Sequence, residues 1–292
     1  MSNRLTQFEV DQFAELGYLS STKCLTDAEC DALLEHIESF ERDRPDDVGW
    51  AFDLKTNLLF DWVYALGAHK AILEIAEDLL GPNLFNTNSI FRIKESSTGT
   101  HYGWHQDAAR IEVEPCFVIA FVSLTDSTKE NGCLQVIPGS HKRIHPFDVI
   151  ENADGQPQRR VARTKDVDES KAELLELKAG EVAFFSGRLV HGSGSNTSSE
   201  RRIAVLTDYT AADAKQSVGQ GSGQLVCGED NWRYIAPEPV PQGNCTSVDV
   251  LNRRRVLTTY PENPLMGPLQ PGQAIEFPDA PDHESNKLGI AL

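Results

Sequence analysis

His105 and Asp107 stand two positions apart in Trp104-His105-Gln106-Asp107, and a second imidazole, His191, opens the segment His191-Gly-Ser-Gly-Ser-Asn196. Two imidazoles and one carboxylate can take three corners of one face of an octahedral metal, leaving the other three for a chelating co-substrate and O2. Arg201 and Arg202 follow His191 after a short turn. A guanidinium is a fixed cationic fork, suited to the far carboxylate of such a co-substrate. The chemistry these residues could do together is oxidation at a non-haem Fe(II) centre that also takes 2-oxoglutarate. A lone His-x-Asp pair says little in a chain with eight histidines. The distant His191 and the trailing arginine give the pair its weight.

These side chains must be delivered by strands. On a strand, residues two apart share a face, so His105 and Asp107 are expected to reach one ion while Gln106 turns away. The run from Glu181 to Val190 reads as strand, turn, strand, and delivers His191. Gly192 and Gly194 beside it permit close backbone approach, as a crowded metal site needs. Arg202 to Tyr209 reads as a further strand; if it pairs antiparallel with the His191 strand, 193–201 forms the connecting loop. Its alternation puts Arg202, Ala204, Leu206 and Asp208 on one face and Ile203, Val205 and Thr207 on the other. Arg202 is the better inward residue, and Arg201 a loop charge.

The first quarter reads as helical. Thr6-Gln-Phe-Glu9 and Thr26-Asp-Ala-Glu29 match the capping box, and Cys30, Leu33, Leu34, Ile37 and Phe40 then recur at helical spacing. A third helix is predicted from about Ala68 to Leu80, stopped by Gly81-Pro82. From Leu84 the texture changes to short β-like runs: Ser89 to Lys94, Cys116 to Leu124, Leu134 to Ile137, Glu181 to Phe185 and Arg202 to Tyr209. The polar stretch 148–171 reads as a surface excursion over the site. Residues 211–263 show little periodicity, and the Pro/Gly-rich tail from Pro264 reads as a wrapping or partly disordered segment. The organisation expected is one α+β domain: a helical scaffold at about 5–82, a β core at about 84–210 closing a sandwich or jelly-roll barrel, and an extension at about 211–292.

A net charge of −17 argues against nucleic acid or an anionic membrane as partner. Basic clusters at Lys142-Arg143, Arg159-Arg160 and Arg253-Arg254-Arg255 are expected to be solvated surface. Six cysteines without a CxxC pair suit neither a zinc site nor a disulfide framework, and read as reduced thiols. No apolar run approaches membrane-spanning length, and no secretory or peroxisomal signal is read, so a cytoplasmic protein is expected. A homodimer stays open.

Taken in order, Phe8-x4-Phe13-x3-Gly17-Tyr18, Trp104-His-Gln-Asp107, Glu130-Asn-Gly-Cys-Leu134, Pro138-Gly-Ser-His-Lys142, Gly180 to Phe185 and His191 to Asn196 with Arg202 form a specific set. The chain from Thr6 to Tyr209 resembles the phytanoyl-CoA dioxygenase family of Fe(II)/2-oxoglutarate oxygenases. The resemblance implies a double-stranded β-helix (jelly-roll, cupin-like) core with N-terminal helices packed on one side. It implies iron held by His105, Asp107 and His191, and 2-oxoglutarate anchored by Arg202, eleven positions after His191. It further implies co-substrate contacts from Ser193 and Phe121 and, more weakly, from Gln106 and Ser140. A turn hydroxyl is an equal reading of Ser140. His141 reads as a satisfied loop histidine, and His101 and Tyr102 as residues near the substrate or on the surface.

Halogenases of this type carry Ala or Gly where Asp107 stands, so hydroxylation of a small molecule, such as a specialised-metabolite intermediate, is preferred. Desaturation, rearrangement and endoperoxide formation use the same ligands. The alternatives of another class are a non-catalytic jelly-roll binding protein and a zinc hydrolase. In the latter, Arg202 would be an idle buried cation.

Overall fold

The computed structural model describes residues 4–97, 99–110, 113–151, 160–217 and 219–259. Both expected capping boxes form. Thr6 starts α1 (Gln7–Leu16) and Thr26 starts α2 (Asp27–Asp43), each hydroxyl accepting from the backbone N–H three residues on. Gly17, at φ 85°, ends α1 in the left-handed conformation that costs an L-residue most, and β1 (Tyr18–Lys23) follows. The stripe of α2 packs as expected, with Cys30 and Ile37 buried and Leu33, Leu34 and Phe40 against the same core. Beyond it lie α3 (Val48–Ala51), α4 (Asp61–Gly67) and α5 (Lys70–Leu80). The expected third helix is therefore α5, beginning two residues late because Ala68 and His69 form the break after α4.

The strands β2 (Leu84–Lys94), β3 (Tyr102–His105), β4 (Val113–Glu114), β5 (Val118–Ser123) and β6 (Leu134–Val136) come next. They are followed by β7 (Phe147–Glu151), β8 (Arg160–Thr164), β9 (Glu173–Leu175), β10 (Glu181–Ser186), β11 (His191–Ser193) and β12 (Arg202–Ala211). The chain goes on to β13 (Lys215–Gln216), β14 (Ser222–Cys227), β15 (Ala236–Pro237) and α6 (Ser247–Thr259). Two sheets face each other: β1-β10-β5-β12-β2-β14-β15 and β7-β8-β3-β11-β6-β9. This is the double-stranded β-helix, with helices on one side.

The inner strands β5, β10 and β12 of the larger sheet are buried on both faces and sort their side chains by parity. Val118, Ala120, Val122, Val182, Phe184, Ile203, Val205 and Tyr209 join the core shared with the helices. Ile119, Phe121, Ala183, Phe185, Ala204 and Leu206 join the core between the sheets. The interior positions of β2 and β12 are thereby fixed as Asn88, Ile90 and Arg92, and Arg202, Ala204, Leu206 and Asp208.

Several expectations need correction. The strand of Arg202 does not pair with that of His191. β12 lies between β2 and β5, whereas β11 lies between β3 and β6 in the other sheet. The 148–171 excursion has ordered flanks: β7 and β8 pair as a hairpin, and β8 continues the smaller sheet by pairing with β3. Its centre, 152–159, and the tail from Pro264 lie outside the described residues. Past Ala211 the chain is structured where little was read. In α6, Arg253 is not the solvated charge expected but is 4% exposed, donating to the carbonyls of Leu54 at 2.7 Å and Trp50 at 3.0 Å. All six cysteines carry free thiols. Among the described residues no helix is long and apolar enough to cross a membrane.

Candidate metal centre

His105 and His191 are cross-strand partners in the β3–β11 ladder. Directly opposed residues sit about 5 Å apart at Cβ, and the two imidazole centroids lie 4.2 Å from each other. Gly192 makes this approach close, since a side chain there would press on the Tyr102 carbonyl at 2.8 Å. Gly194 has no such conflict, so only one of the two expected glycines serves this purpose. Asp107 is not on the strand with His105, as alternation suggested. It opens a short 3-10 turn, Asp107–Arg110, which folds the carboxylate back towards both rings.

That turn is clamped by Gln106, whose amide donates to the carbonyls of Arg143 and Arg188 and accepts from the His145 N–H at 2.8 Å. Gln106 therefore spends its hydrogen-bonding capacity on backbone. Ser140 does not cap its own turn: it accepts from the distant Val190 N–H at 2.9 Å and so holds the residue before His191. His141 bonds the Ala14 carbonyl through Nε2 at 3.2 Å, but its buried Nδ1 has no partner, so the ring is only half satisfied.

The donor set suits a metal. Each Nδ1 points at a carbonyl, Gly103 for His105 at 2.8 Å and Leu189 for His191 at 2.9 Å. A carbonyl only accepts, so each Nδ1 carries the proton and each Nε2 presents a lone pair. These Nε2 atoms lie 3.4 Å and 3.5 Å from the two Asp107 oxygens. Three groups that can each offer a metal-ligand atom thus converge within 4.8 Å of one another.

Burial raises the Asp107 carboxyl, but the His191 and His105 rings outweigh it and hold it below the usual carboxylate range. Burial, aided by His105, pushes His191 down to about 4. At neutral pH the site is one carboxylate and a neutral His191, the states a metal requires. The unfolded imidazole titrates near 6.5. Between pH 6.5 and about 4 the unfolded chain takes up a proton that folded His191 refuses, so the metal-free protein loses stability as pH falls through that window. Denaturant midpoints measured across it should fall for the wild type and fall less for His191→Gln; equal slopes would contradict a neutral His191.

Arg202 is 1% exposed and enters the space between the sheets. Its Nη1 donates to the Gly132 carbonyl at 2.6 Å and its Nη2 to the Arg92 carbonyl at 3.4 Å, while its Nε has no partner. The ring of Phe121 lies under the guanidinium at 5.4 Å. Gly132 is placed by the Asn131 side chain, which ties Thr128 to Asp126, and takes φ 78°. Among the described residues no carboxylate lies within ion-pair distance of Arg202, and burial pushes it down to about 10, still charged at neutral pH. An uncompensated buried guanidinium is costly, and an anion beside it removes that cost. Ser193, 8% exposed, stands two residues after His191 with no side-chain bond among the described residues. Arg201, by contrast, forms a two-pronged pair with Glu41 and a further bond to Glu95.

Two interior residues were given no role in the sequence reading: Arg92, which it did not single out, and Asp208, which it placed on the Arg202 face. Arg92 lies over the Tyr102 ring at 5.2 Å, and its charge acts on Asp107, His191 and Arg202. Asp208 lies farther along β12. The signal was a polar residue at interior parity in an otherwise apolar strand.

A His/Asp/His cluster and a buried arginine thus share the interior of a double-stranded β-helix. The sequence profile of the phytanoyl-CoA dioxygenase (PhyH) family matches residues 13–204. The chain belongs to that family. It is 31% identical over 171 residues to a probable alpha-ketoglutarate-dependent hypophosphite dioxygenase of Stutzerimonas stutzeri, covering 57% of this chain and 59% of that protein. It is 29% identical over 160 residues to the human peroxisomal phytanoyl-CoA dioxygenase, covering 52% and 47%. The chain thus spans about half the length of these curated relatives. Among solved structures it shares its fold with the non-heme monooxygenase ThoJ, at a TM-score of 0.75 and 24% identity, covering 85% of this chain and 94% of the other.

Proposed function

We propose that this chain is a non-haem Fe(II)/2-oxoglutarate-dependent dioxygenase that oxidises, and by preference hydroxylates, a small-molecule substrate. The observation that carries the reading is the pairing of two unmet demands in one interior. Three potential metal-ligand atoms converge, and among the described residues no carboxylate pairs with the buried guanidinium of Arg202, whose Nε has no partner. Fe(II) answers the first and a dicarboxylate answers the second. Family membership and the names of the curated relatives favour the same pair of ligands.

In this reading His105, Asp107 and His191 hold the ion. Arg202 takes the far carboxylate of 2-oxoglutarate, with Phe121 beneath the guanidinium and the Ser193 hydroxyl free to add a hydrogen bond. When bound, Fe(II) with 2-oxoglutarate and O2 supplies an oxidant able to remove a substrate hydrogen, succinate and CO2 being the by-products. The protein's own share is orientation and dryness. The two Nδ1–H bonds lock the rings, the Gln106 clamp fixes the turn of Asp107, and the apolar walls at Ile90, Phe121 and Leu206 exclude water. Gln106 and Ser140 serve as supports of the ligand-bearing segments and not as co-substrate contacts.

Incubation with Fe(II), ascorbate and 2-oxoglutarate under air, without substrate, is expected to yield succinate slowly and only when the metal is present. No succinate above the metal-free level would favour a jelly-roll binding protein instead.

A further inference from the structure

Asp208 is 6% exposed and shares the interior face of β12 with Arg202, Ala204 and Leu206. One of its oxygens accepts from the Asn88 amide at 3.2 Å, and the Asn88 oxygen in turn accepts from the Lys55 backbone N–H at 2.9 Å. Among the described residues nothing else donates to the carboxylate and no cation pairs with it. Its second oxygen is therefore unclaimed. A buried carboxylate held by one amide is a poor structural element, since a charge removed from water needs several donors or a cation.

Its place in the interior gives it a use. Arg202 pairs with Lys94 and Asp208 with Asn88, so the two charges lie six residues apart on β12, about 20 Å at the rise of a strand. At the Arg202 end stands Tyr102, the first residue of β3, beside Arg92 and Lys94. The His191 ring packs on Phe185 at 4.8 Å, and Phe185, Ile119 and Asp208 stand opposite one another across the β10, β5 and β12 ladders. The ligand triad therefore lies away from the Arg202 end, towards the row of Asp208. A keto-acid held by Arg202 approaches the ion from one side and leaves the Asp208 side for substrate. A donor from a ligand would satisfy the unclaimed oxygen.

We propose that Asp208, presented by Asn88, is the substrate anchor: the substrate is a small molecule that offers a hydrogen-bond donor, an alcohol or an ammonium, to this carboxylate. The proposal rests on the oxygenase reading above and specifies its substrate class. Calorimetric titrations of the protein loaded first with Mn(II) and then with 2-oxoglutarate test both in sequence. Hexylamine and 1-hexanol should bind the loaded protein, and hexanoate at least about tenfold more weakly. Asp208→Asn should cost hexylamine about tenfold or more, and Asp208→Val should cost both donors as much, while each variant still takes up 2-oxoglutarate. If Asp208→Val no longer takes up 2-oxoglutarate, hexylamine binding to Asp208→Asn decides alone. Equal binding of hexanoate to the wild type, or hexylamine affinity unchanged in Asp208→Asn, would overturn the anchor. Failure of the wild type to take up 2-oxoglutarate with Mn(II) would instead overturn the oxygenase reading.

Discussion

His191→Ala removes metal binding and with it all metal-dependent turnover of 2-oxoglutarate. The expectation follows from the geometry of the ring. His191 is 4% exposed, its Nδ1–H is committed to Leu189, and its Nε2 faces Asp107 across 3.5 Å. Loss of a group that merely orients a ligand typically costs metal affinity 10- to 100-fold. Loss of the ligand itself should therefore cost more than about 100-fold. The cavity left by the ring costs some stability, so His191→Gln, which keeps most of the volume, serves as the companion variant. His141→Ala is the control: that ring bonds the Ala14 carbonyl and should leave metal affinity unchanged. Titration with Mn(II) followed by water-proton relaxation separates these cases. Metal affinity of His191→Ala within about threefold of wild type would remove this ring from the ligand set.

Arg202→Met separates co-substrate binding from folding. Truncating one partner of a buried charge pair costs about 2–5 kcal/mol, which at 1.4 kcal/mol per decade means that 2-oxoglutarate affinity falls by roughly 30- to several thousand-fold. The free protein should respond in the opposite sense. Its guanidinium has an unpartnered Nε and no carboxylate among the described residues, so a methionine of similar reach should leave the apo fold as stable or more so. Thermal midpoints with and without 2-oxoglutarate read both effects: the apo midpoint holds or rises, and the shift caused by 2-oxoglutarate disappears. Arg201→Met should do neither, since a partly exposed pair with Glu41 and Glu95 is worth about 1 kcal/mol or less. A 2-oxoglutarate shift lost in Arg201→Met and kept in Arg202→Met would exchange the roles of the two arginines.

The His105, Asp107 and His191 cluster was legible in the chain because its signal is carried by residue type: two imidazoles, a carboxylate and an arginine are rare company at those spacings. Alternation also placed Arg202 rather than Arg201 inside, although the pairing considered for β12 does not form. Parity depends only on which face of a strand is interior, whereas the choice of neighbour is made by non-local packing. Asp107 shows the opposite failure. The two-residue spacing suggested a strand, but the 3-10 turn that Gln106 clamps to Arg143, Arg188 and His145 is built by groups 37, 39 and 82 residues away. No local pattern announces such a turn.

Past Ala211 the cause differs again. α6 buries Asp249 and Arg253, whose polar atoms are satisfied by the backbone of Gln242, Thr246, Leu54 and Trp50. Polar residues on the inward face erase the apolar stripe by which a helix is recognised. Asn88 and Arg92 were hidden, and Asp208 was given no role, for a related reason: a polar residue inside a barrel looks like one outside it until both faces of the strand are known to be covered.

Diffraction from crystals grown with Mn(II) and 2-oxoglutarate, collected where manganese scatters anomalously, addresses the central claim most directly. The expected map shows one peak within coordination distance of His105 Nε2, His191 Nε2 and an Asp107 oxygen, and a keto-acid reaching from that peak to the guanidinium of Arg202. A peak elsewhere, or a co-substrate whose far carboxylate avoids Arg202, would contradict it.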